Sequence, residues 1–498
     1  MEKQKYCLPP GFSLPPPTDV QTLPSLPGFK SALESQPWFN NTTIAIKASI
    51  GGSLVFQYAY RADGGNGGDL FDTKIRIASV TKVFTVLAVL LSKESIGWED
   101  RITKFVPGLN ETAYADVTIG ALAGQTSGLG RFVCSRPQVL DMFNDTPYLP
   151  SSCNSGPLYS NIAYNLLAMA LEHVHSKRYE QIIQELIFDP IGMQNSTFET
   201  PDNDKDGILP QDGERWFAAP FGNFNPSGGI WSTPNDMLLF LEALQSHRFL
   251  SASQTRKWLQ PSSLLPSIHQ LVGAPWEIFR PTDIDVAVPR PIDLYTKAGG
   301  IAGYSSHAVL VPEYGVALTI HAAGDDAVAA VQGLLPLVVK PLLSHADEQV
   351  RSQASMNYVG TYRTDDGSSS IEIVLDDGPG LRIESALING VAIIPALAAV
   401  QGLDPSNASA RLYPTDADFT TSDSVAFRLL LDRIKEGTER GFVEQYCASW
   451  NWGDTMRYAS EPLDRLVFSK SADQGASLEL VGWRTTLRKT ELARGGMD

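Results

Sequence analysis

The apolar pattern of the chain changes near residue 350, and this change constrains the fold more than any other feature. Before it, helix-like runs such as SVTKVFTVLAVLL, which begins at Ser79, are mixed with strand-like runs such as HAVLVPEYGVALTI, which begins at His307. After it, short strand-like segments such as SIEIVL and VAFRLLLD follow one another. A single hydrophobic core stops growing at about 250–300 residues, and this chain has 498. We therefore expect a mixed domain followed by a smaller all-β domain.

The boundaries of these domains follow from composition. The first residues are rich in proline, with three in a row from Pro15, and they predict an extended arm over residues 1–35. The polar stretch from Ser344 to Ser355 is typical of a linker. We therefore predict the mixed domain over residues 36–348 and the β domain over residues 356–498.

Two segments of the mixed domain have clear local signals. TTIAIKASIGGSLVFQYAY, from Thr42, predicts two strands around a Gly-Gly turn. The stretch from Asn161 to Phe188 has the length and composition of a helix that breaks near Ser176.

The charge balance argues against a nucleic-acid partner. The chain has 39 Lys and Arg against 55 Asp and Glu, a net charge of −16, and this leaves no broad cationic face for a phosphate backbone. No apolar run approaches the roughly 18–20 residues of a membrane span, so we predict none. The oligomeric state stays open.

The evidence on compartment is divided. The N-terminus has no apolar signal core, yet six glycosylation triplets mildly favour a secretory history. The four cysteines are Cys7, Cys134, Cys153 and Cys447, and Cys134 and Cys153 are close enough to bridge a loop, although spacing alone leaves the pairing open. The triplets begin at Asn40, Asn41, Asn110, Asn144, Asn195 and Asn407.

The tetrapeptide from Ser79 to Lys82 stands at the predicted start of a helix. The Ser79 hydroxyl would lie where helix amides favour negative charge, and Lys82 would lie one turn along the same face. A buried ammonium loses its proton more easily, and the neutral amine can then activate a hydroxyl. The alternative is a Ser N-cap followed by a solvated Lys, because S-x-x-K occurs by chance in most chains of this size.

Two further motifs fit the same chemistry. Tyr159 and Asn161 precede the second predicted helix, where a Tyr can serve as general base and an Asn can donate to a bound acyl group. Lys297 and the small residues after it stand at the start of the β-rich hairpin. There a Lys can hold positive charge, and a substrate can lie against the strand edge. The backbone amides of Ser79 and Gly300 would form an oxyanion hole.

These motifs, in this order, resemble those of the serine β-lactamase/DD-peptidase superfamily, specifically β-lactamase-related hydrolases close to class C enzymes and family VIII esterases. The resemblance covers about residues 40–345. The tail from Asn357, opening YVGTYR, is similar to the β-barrel-like appendage of some members, especially fungal ones. The matching segments are RIASVTKVFTVLAVL, VTIGALAGQTSGL, LYSNIAYNLLAMALEHV, LIFDPIGMQNSTF, PSGGIWSTPNDMLLFL and KAGGIAGYSSHAVLVPEYGVAL.

The resemblance implies an α/β (α+β) fold of the β-lactamase/transpeptidase type, with an antiparallel sheet flanked by helices and a C-terminal all-β barrel. It also implies that Ser79 is the nucleophile, Lys82 its activating partner and Tyr159 the general base and acid. Asn161 would position the acyl group, and Lys297 would supply electrostatics. The implied substrate is a small molecule with an ester, lactone or amide bond, and neither a metal nor a cofactor is expected.

Two departures from the family pattern stand out. Gly124-Gln125 replaces the usual Ser/Thr-His before Thr-Ser-Gly-Leu. The family's Lys-Thr-Gly becomes Lys297-Ala298-Gly299, so Ala298 lacks the hydroxyl that grips a substrate carboxylate in penicillin-recognising members. We therefore expect an esterase-like enzyme rather than a true β-lactamase.

Other functions are less well supported. The nearest alternative is an acyltransferase of the same fold, similar to the lovastatin side-chain transferase; a more distant one is a non-catalytic binding homologue. No G-x-S-x-G elbow is present. His173 and His175 would point in different directions from a helix, which argues against a metal pair. Trp231 and Trp276 fit packing better than a cleft lining.

Overall fold

A computed structural model of the chain forms two compact units, which we describe separately. The mixed unit contains Asp19–Thr282 and Pro291–Leu342, and the barrel unit contains Met1–Thr18, Asp283–Arg290 and Leu343–Asp498. The structure describes residues 6–9, 11–18, 20–23, 25–26, 28–62, 68–109, 114–131, 153–202, 206–210, 217–415, 423–434, 447, 449–471 and 475–490.

The mixed unit is built on an eight-stranded antiparallel sheet with the order β2-β1-β10-β9-β8-β7-β6-β5. Strands β1 and β2 join through Gly51 and Gly52, both with positive φ (58° and 80°), as a two-residue hairpin turn requires; this confirms the predicted hairpin. A short pair, β3 and β4, lies outside this sheet. The strands are β1 (Thr43–Ile50), β2 (Ser53–Tyr60), β3 (Ile75–Arg76), β4 (Trp231–Ser232), β5 (Ser263–Leu264), β6 (Gln270–Val272), β7 (Glu277–Phe279), β8 (Leu294–Ile301), β9 (Tyr304–Val311) and β10 (Val316–Ala323).

Helices flank this sheet, as expected. The helix Pro234–Gln245 packs on β1, β9 and β10, and Thr81–Leu91 packs against Ile162–His175. Thr81–Leu91 is buried from Thr81 to Val89, which is typical of a helix at the centre of a core. The helices are Phe29–Glu34, Thr81–Leu91, Ile119–Ala123, Ile162–His175, Tyr179–Ile183, Asp189–Ile191, Asn225–Gly228, Pro234–Gln245 and Ala252–Leu259, with a π-turn at Gln184–Phe188 and 3₁₀ turns at Phe39–Asn41, Ala78–Val80, Ile102–Lys104, Pro107–Leu109, Gly222–Phe224 and Pro312–Tyr314.

The barrel unit confirms the expected all-β domain. Eight antiparallel strands close into a barrel because β12 pairs with both β11 and β13, and β14 extends β13. The unit also holds a helix, Ile393–Val400, and a 3₁₀ turn at Pro405–Asn407 and another at Ser449–Asn451. The strands are β11 (Gly360–Arg363), β12 (Ser370–Val374), β13 (Leu381–Ile388), β14 (Val391–Ala392), β15 (Ala408–Pro414), β16 (Ser424–Arg433), β17 (Arg457–Tyr458), β18 (Glu461–Pro462), β19 (Arg465–Ser471), β20 (Gly475–Leu480) and β21 (Thr485–Lys489).

The expected linker from Ser344 to Ser355 is wrong, because this stretch lies inside the helix Ala327–Tyr358. Ala346, Val350 and Ala354 recur every fourth residue and are all buried, which places them on one face of a helix. By length and composition alone this helix could cross a membrane, and 44% of its most apolar window is buried within the protein.

The expected extended arm is only partly extended. Phe29–Glu34 forms a helix because Phe29 and Leu33, one turn apart, are both buried. Phe29 packs edge-on against Phe56 and Tyr58, with ring centroids 5.4 and 5.3 Å away. This apolar contact holds the segment in place.

Residues 6–18 belong to the barrel unit and are fastened to it. A disulfide joins Cys7 to Cys447. The Ser13 hydroxyl accepts a hydrogen bond from Gly380 N at 3.0 Å, and the Gln353 carboxamide pairs with the backbone N–H and C=O of Thr18. Of the pairing left open above, Cys134 lies outside the described residues, and Cys153 has no disulfide partner among those described.

Candidate active site

Ser79 lies in a tight turn before the central helix. It is the middle residue of the 3₁₀ turn Ala78–Val80, and the α-helix begins two residues later, at Thr81. Ala78 has a φ of 45°, an uncommon conformation for a residue with a side chain. Strained backbone of this kind clusters at functional sites.

Lys82 is fully buried beside Ser79. Its Nζ lies 3.1 Å from Ser79 Oγ and donates a hydrogen bond to the carbonyl oxygen of Ser227 at 2.6 Å. Its exposed fraction is 0%, so it is not the solvated lysine of the alternative interpretation. Burial, reinforced by the positive charge of Lys297, lowers the pKa of Lys82 well below its ordinary value. The neutral amine is therefore favoured at this position.

Tyr159 completes a hydroxyl pair with Ser79. Its phenol donates a hydrogen bond to Ser79 Oγ at 2.9 Å. Three basic side chains surround its ring: Lys82 Nζ lies 5.2 Å, Lys297 Nζ 5.5 Å and the Arg131 guanidinium 5.0 Å from the ring centroid. The sequence analysis did not single out Arg131. Contacts of this kind fix the orientation of an aromatic ring.

Gln125 holds the backbone on both sides of Tyr159. Its side-chain oxygen accepts from Ser160 N at 2.7 Å, and its main-chain oxygen accepts from Leu158 N at 2.8 Å. Its Nε2 donates to the Tyr164 hydroxyl at 3.3 Å. The sequence marked Gln125 only as a departure from the family pattern; in the structure it positions the segment that carries Tyr159.

Asn161 lies directly before the helix Ile162–His175 and is half-buried. Its side chain does not cap that helix. The helix ends at Ser176, which has a φ of 51°, so the predicted break is confirmed.

Lys297 is buried in β8 and paired with a carboxylate that the sequence analysis did not identify. Its Nζ lies 2.5 Å from Glu277 Oε1 and donates to the carbonyl oxygen of Ala298 at 2.7 Å. Burial alone would lower the pKa of Lys297, but the Glu277 carboxylate raises it above its ordinary value. Lys297 is therefore a stable cation, in contrast to Lys82.

The small residues after Lys297 bring β8 against the Ser79 turn. A Cβ atom on Gly299 would lie 2.1 Å from Ile77 O and 3.0 Å from Ser79 N, so only glycine fits there without a shift of the backbone. A Cβ on Gly300 would meet only Val328 Cγ2, at 3.5 Å. The Ala298 N–H donates to Glu277 Oε2 at 2.9 Å. Because N–H groups along a strand point alternately to its two edges, the Gly300 N–H points to the same edge.

The tryptophans and histidines considered in the sequence analysis pack against other side chains. Trp231 and Trp276 are fully buried, and Trp231 stacks on the buried guanidinium of Arg76 at 4.5 Å, which supports the packing interpretation. His175 Nε2 bonds the Ser92 hydroxyl at 2.8 Å, and His173 lies edge-on to Phe105 at 6.1 Å.

Comparison with known proteins identifies one family. The family model described as "Beta-lactamase" matches residues 43–338, and the one described as "Beta-lactamase-like-like, C-terminal domain" matches residues 350–491.

Individual proteins agree with these matches. A "Beta-lactamase-like protein" from Arthroderma benhamiae is 28% identical over 471 residues, covering 81% of this chain and 78% of that protein. "Probable hydrolase clz13" from Cochliobolus lunatus is 30% identical over 356 residues, covering 68% of this chain and 56% of that protein. Among solved structures, the beta-lactamase/D-alanine carboxypeptidase from Yersinia pestis complexed with citrate has a TM-score of 0.52 and 20% identity, covering 63% of this chain and 99% of that chain. At this identity the likeness concerns the fold alone.

Proposed function

Because the chain belongs to the beta-lactamase family, within the serine β-lactamase/DD-peptidase superfamily, we propose that it is a serine hydrolase that forms an acyl-enzyme on Ser79. One observation carries the proposal: Ser79 Oγ lies 3.1 Å from the buried Lys82 Nζ and 2.9 Å from the Tyr159 hydroxyl. A nucleophile within hydrogen-bond reach of a base, with a second proton-transfer group beside it, is the geometry that covalent catalysis needs.

Acylation begins with a neutral Lys82 amine and a protonated Tyr159 phenol. The neutral amine of Lys82 accepts the Ser79 proton as Oγ attacks the carbonyl carbon of the substrate. Tyr159 gives its proton to the leaving oxygen or nitrogen as the bond to the carbonyl breaks. The products are the acylated Ser79, a protonated Lys82, a Tyr159 phenolate and the free alcohol or amine.

Deacylation restores each group. The Tyr159 phenolate takes a proton from a water molecule that attacks the acyl carbon. The protonated Lys82 returns its proton to Ser79 Oγ as the acid leaves. Tyr159 thus serves as general acid in the first half of the cycle and as general base in the second.

The negative charge of the tetrahedral intermediate falls on the carbonyl oxygen. The backbone N–H groups of Ser79 and Gly300 are our candidates for the two donors that stabilise it. A Cβ atom on Gly299 would lie 3.0 Å from Ser79 N, and this closeness of β8 to the nucleophile supports the choice. Asn161 would orient the acyl group.

We propose esters or lactones, rather than penicillins and cephalosporins, as the better substrates. A β-lactam carries a carboxylate that needs donors in the cleft, and Ala298 has no hydroxyl to offer. One lost hydrogen bond to a charged group weakens binding by about ten- to a hundredfold. An uncharged ester loses nothing at this position.

Hydrolysis of p-nitrophenyl butyrate and of nitrocefin, with and without a competing alcohol or amine, tests this function. We expect kcat/KM for the ester to exceed that for nitrocefin by more than tenfold, and Ala298→Thr to shift the ratio towards nitrocefin. Nitrocefin as the better substrate would contradict the ester preference. An acyl product formed on the added acceptor in preference to the free acid would show an acyltransferase instead, and no Ser79-dependent turnover of any substrate would indicate a binding homologue.

A further inference from the structure

We propose that Glu277 is a specificity residue that excludes substrates with a carboxylate on the leaving group, because its own carboxylate already occupies the donors that such a substrate needs. The leaving group is the relevant side, since Lys297 Nζ lies 5.5 Å from the ring centroid of Tyr159, which protonates the leaving atom. The inference rests on the proposed function and names the charge of the substrate that this site accepts. Three features of the structure support this role: the contacts of Glu277, the end of β7 and the balance of charge around Ser79.

The Glu277 carboxylate binds two donors at once. Oε1 lies 2.5 Å from Lys297 Nζ, and Oε2 accepts from the Ala298 N–H at 2.9 Å. A lysine ammonium has three donors, and a second one is used by the Ala298 carbonyl at 2.7 Å. Lys297 is 1% exposed at its side chain, whereas Glu277 is 28% exposed. It is therefore the carboxylate, and not the ammonium, that faces solvent from this pair.

The position of Glu277 at the start of β7 explains these contacts. β7 pairs with β8 from Phe279 opposite Leu294 to Glu277 opposite Thr296, and the paired region stops there. The edge of β8 at Ala298 therefore lies beyond the last pair, where an added substrate could otherwise use its N–H groups. The Glu277 side chain reaches past the end of its own strand and takes the first of these groups.

The charges around this edge cancel. Burial raises the pKa of Glu277, but Lys297 and the Ala298 N–H together lower it below its ordinary value, so the pair is ionised on both sides and its net charge is zero. His307, opposite Ala298 in β9, has a pKa lowered to about 4, chiefly by burial, and is neutral near pH 7. Arg131, a further cation beside Tyr159, is exposed, and solvent ions screen its charge.

Among the residues that the structure describes, a substrate carboxylate that approaches Lys297 would therefore meet the Glu277 carboxylate first. To reach Lys297 or the Ala298 N–H, it must displace Glu277 or lie beside it and be repelled. The loss of one charge-assisted hydrogen bond corresponds to about ten- to a hundredfold in kcat/KM, and we expect discrimination of that size against anionic leaving groups. Ala298 removes one donor from the cleft, and Glu277 occupies two more.

The test uses one butyrate ester whose leaving group has two charge states: 3-(butyryloxy)benzoic acid and its methyl ester. We expect the wild-type protein to prefer the methyl ester by at least tenfold in kcat/KM. In Glu277→Gln, one acceptor oxygen remains in place of two, so Lys297 or the Ala298 N–H becomes available. The acid-to-ester ratio of kcat/KM should then rise about tenfold. Because each ratio is taken within one protein, a general loss of activity does not affect it.

A matched control is Glu94→Gln, which removes an exposed carboxylate just beyond the far end of the helix Thr81–Leu91; this helix is about 15 Å long from Thr81 to Leu91, and Ser79 lies at its other end. Its ratio should equal that of the wild type. In Glu277→Gln, burial would favour deprotonation of Lys297, because its carboxylate partner is gone. The acid-to-ester ratio of kcat/KM is therefore measured from pH 5 to pH 8.5. If Lys297 is neutral near pH 7 in this variant, the ratio must rise at the acidic end of the range.

Two results would overturn the inference: equal use of acid and methyl ester by the wild type, or a ratio in Glu277→Gln within threefold of the wild type at every pH. The first needs no variant and holds even if Glu277→Gln does not fold. The proposed function fails separately, by methyl ester hydrolysis that persists in Ser79→Ala. Ser79-dependent hydrolysis with an unmoved ratio refutes only the role of Glu277.

Discussion

The side-chain oxygen of Gln125 accepts a hydrogen bond from the backbone N–H of Ser160 at 2.7 Å, which fixes the residue that follows Tyr159. Both residues are buried, so water does not replace this bond when it is lost. The placement of the Tyr159 hydroxyl against Ser79 therefore depends on a side chain that does not itself touch the substrate carbonyl.

Gln125→Ala should lower kcat about ten- to a hundredfold with little change in KM, since small displacements of a catalytic group cost rates of that order. It should also cost about 1–3 kcal/mol in the free energy of unfolding, because a buried N–H loses its acceptor. Gln125→Glu keeps the acceptor and should recover most of the activity. Steady-state kinetics and thermal unfolding of both variants decide this; a kcat unchanged in Gln125→Ala would rule out the positioning role.

Lys82→Ala and Tyr159→Phe should each reduce turnover about 10²–10⁴-fold, the range for a lost acid–base partner. Tyr159→Phe keeps the ring between its three basic neighbours and removes the hydroxyl, with its hydrogen bond to Ser79 Oγ and its proton. Initial-rate assays with a p-nitrophenyl ester measure the reduction in turnover, and circular dichroism verifies that each variant is folded. Near-normal rates in a folded variant would show that the assigned proton path is wrong.

A plot of kcat/KM against pH should show an ascending limb, because the active Lys82 is the neutral amine. Its pKa in the folded protein lies well below its ordinary value of 10.5, so the ascending limb falls below that pH. The pKa of Glu277 is lowered, that of His307 is about 4 and that of Lys297 is raised above 10.5, so none of these three groups titrates between about pH 5 and pH 10.

The lowered pKa of Lys82 also makes the stability of the fold depend on pH. Between the folded and unfolded pKa values of Lys82, the unfolded chain binds one more proton, so the free energy of unfolding should rise with pH in that window. Chemical denaturation at several pH values measures this rise, and kcat/KM is measured on the same samples after correction for spontaneous ester hydrolysis. Activity that falls as the pH rises from 6 to 9 would mean that the protonated Lys82 is the active form.

Gly299 and Gly300 offer a matched pair of substitutions. Gly299→Ala places a methyl group 2.1 Å from Ile77 O and 3.0 Å from Ser79 N, so β8 or the Ser79 turn must shift. Activity should fall by at least a hundredfold, and the melting temperature should decrease. In Gly300→Ala the methyl group makes an ordinary contact of 3.5 Å with Val328. We expect its melting temperature to stay within about 2 °C of the wild type; equal destabilisation by both substitutions would contradict the described contact.

Local signals predicted the parts of the site that lie close together in sequence. Ser79 and Lys82 are three residues apart, and helix periodicity alone places them on one side. The hairpin at Gly51 and Gly52 likewise follows from turn chemistry. In both cases the interacting residues are neighbours in sequence, so a short sequence motif contains all of them.

The contacts that the sequence did not reveal join distant segments. Glu277 lies in the three-residue strand β7, and only its pairing with β8 brings it to Lys297. Gln125 acts on Ser160, 35 residues away, and Cys7 pairs with Cys447 across 440 residues. Spacing carries no information about such pairs. The helix across Ser344–Ser355 was missed because its polar composition outweighed the four-residue spacing of Ala346, Val350 and Ala354.

The acyl-enzyme itself is the most direct test of the account. The protein is mixed with a slowly hydrolysed ester or a fluorophosphonate, quenched in acid and analysed by intact mass spectrometry and peptide mapping. Ser79→Ala is compared with Ser246→Ala, a serine at the end of the helix Pro234–Gln245 whose hydroxyl bonds only Glu242 O among the described contacts. We predict one added acyl or phosphonyl group, located on Ser79, present in Ser246→Ala and absent from Ser79→Ala. Labelling that is undiminished in Ser79→Ala would contradict the central claim.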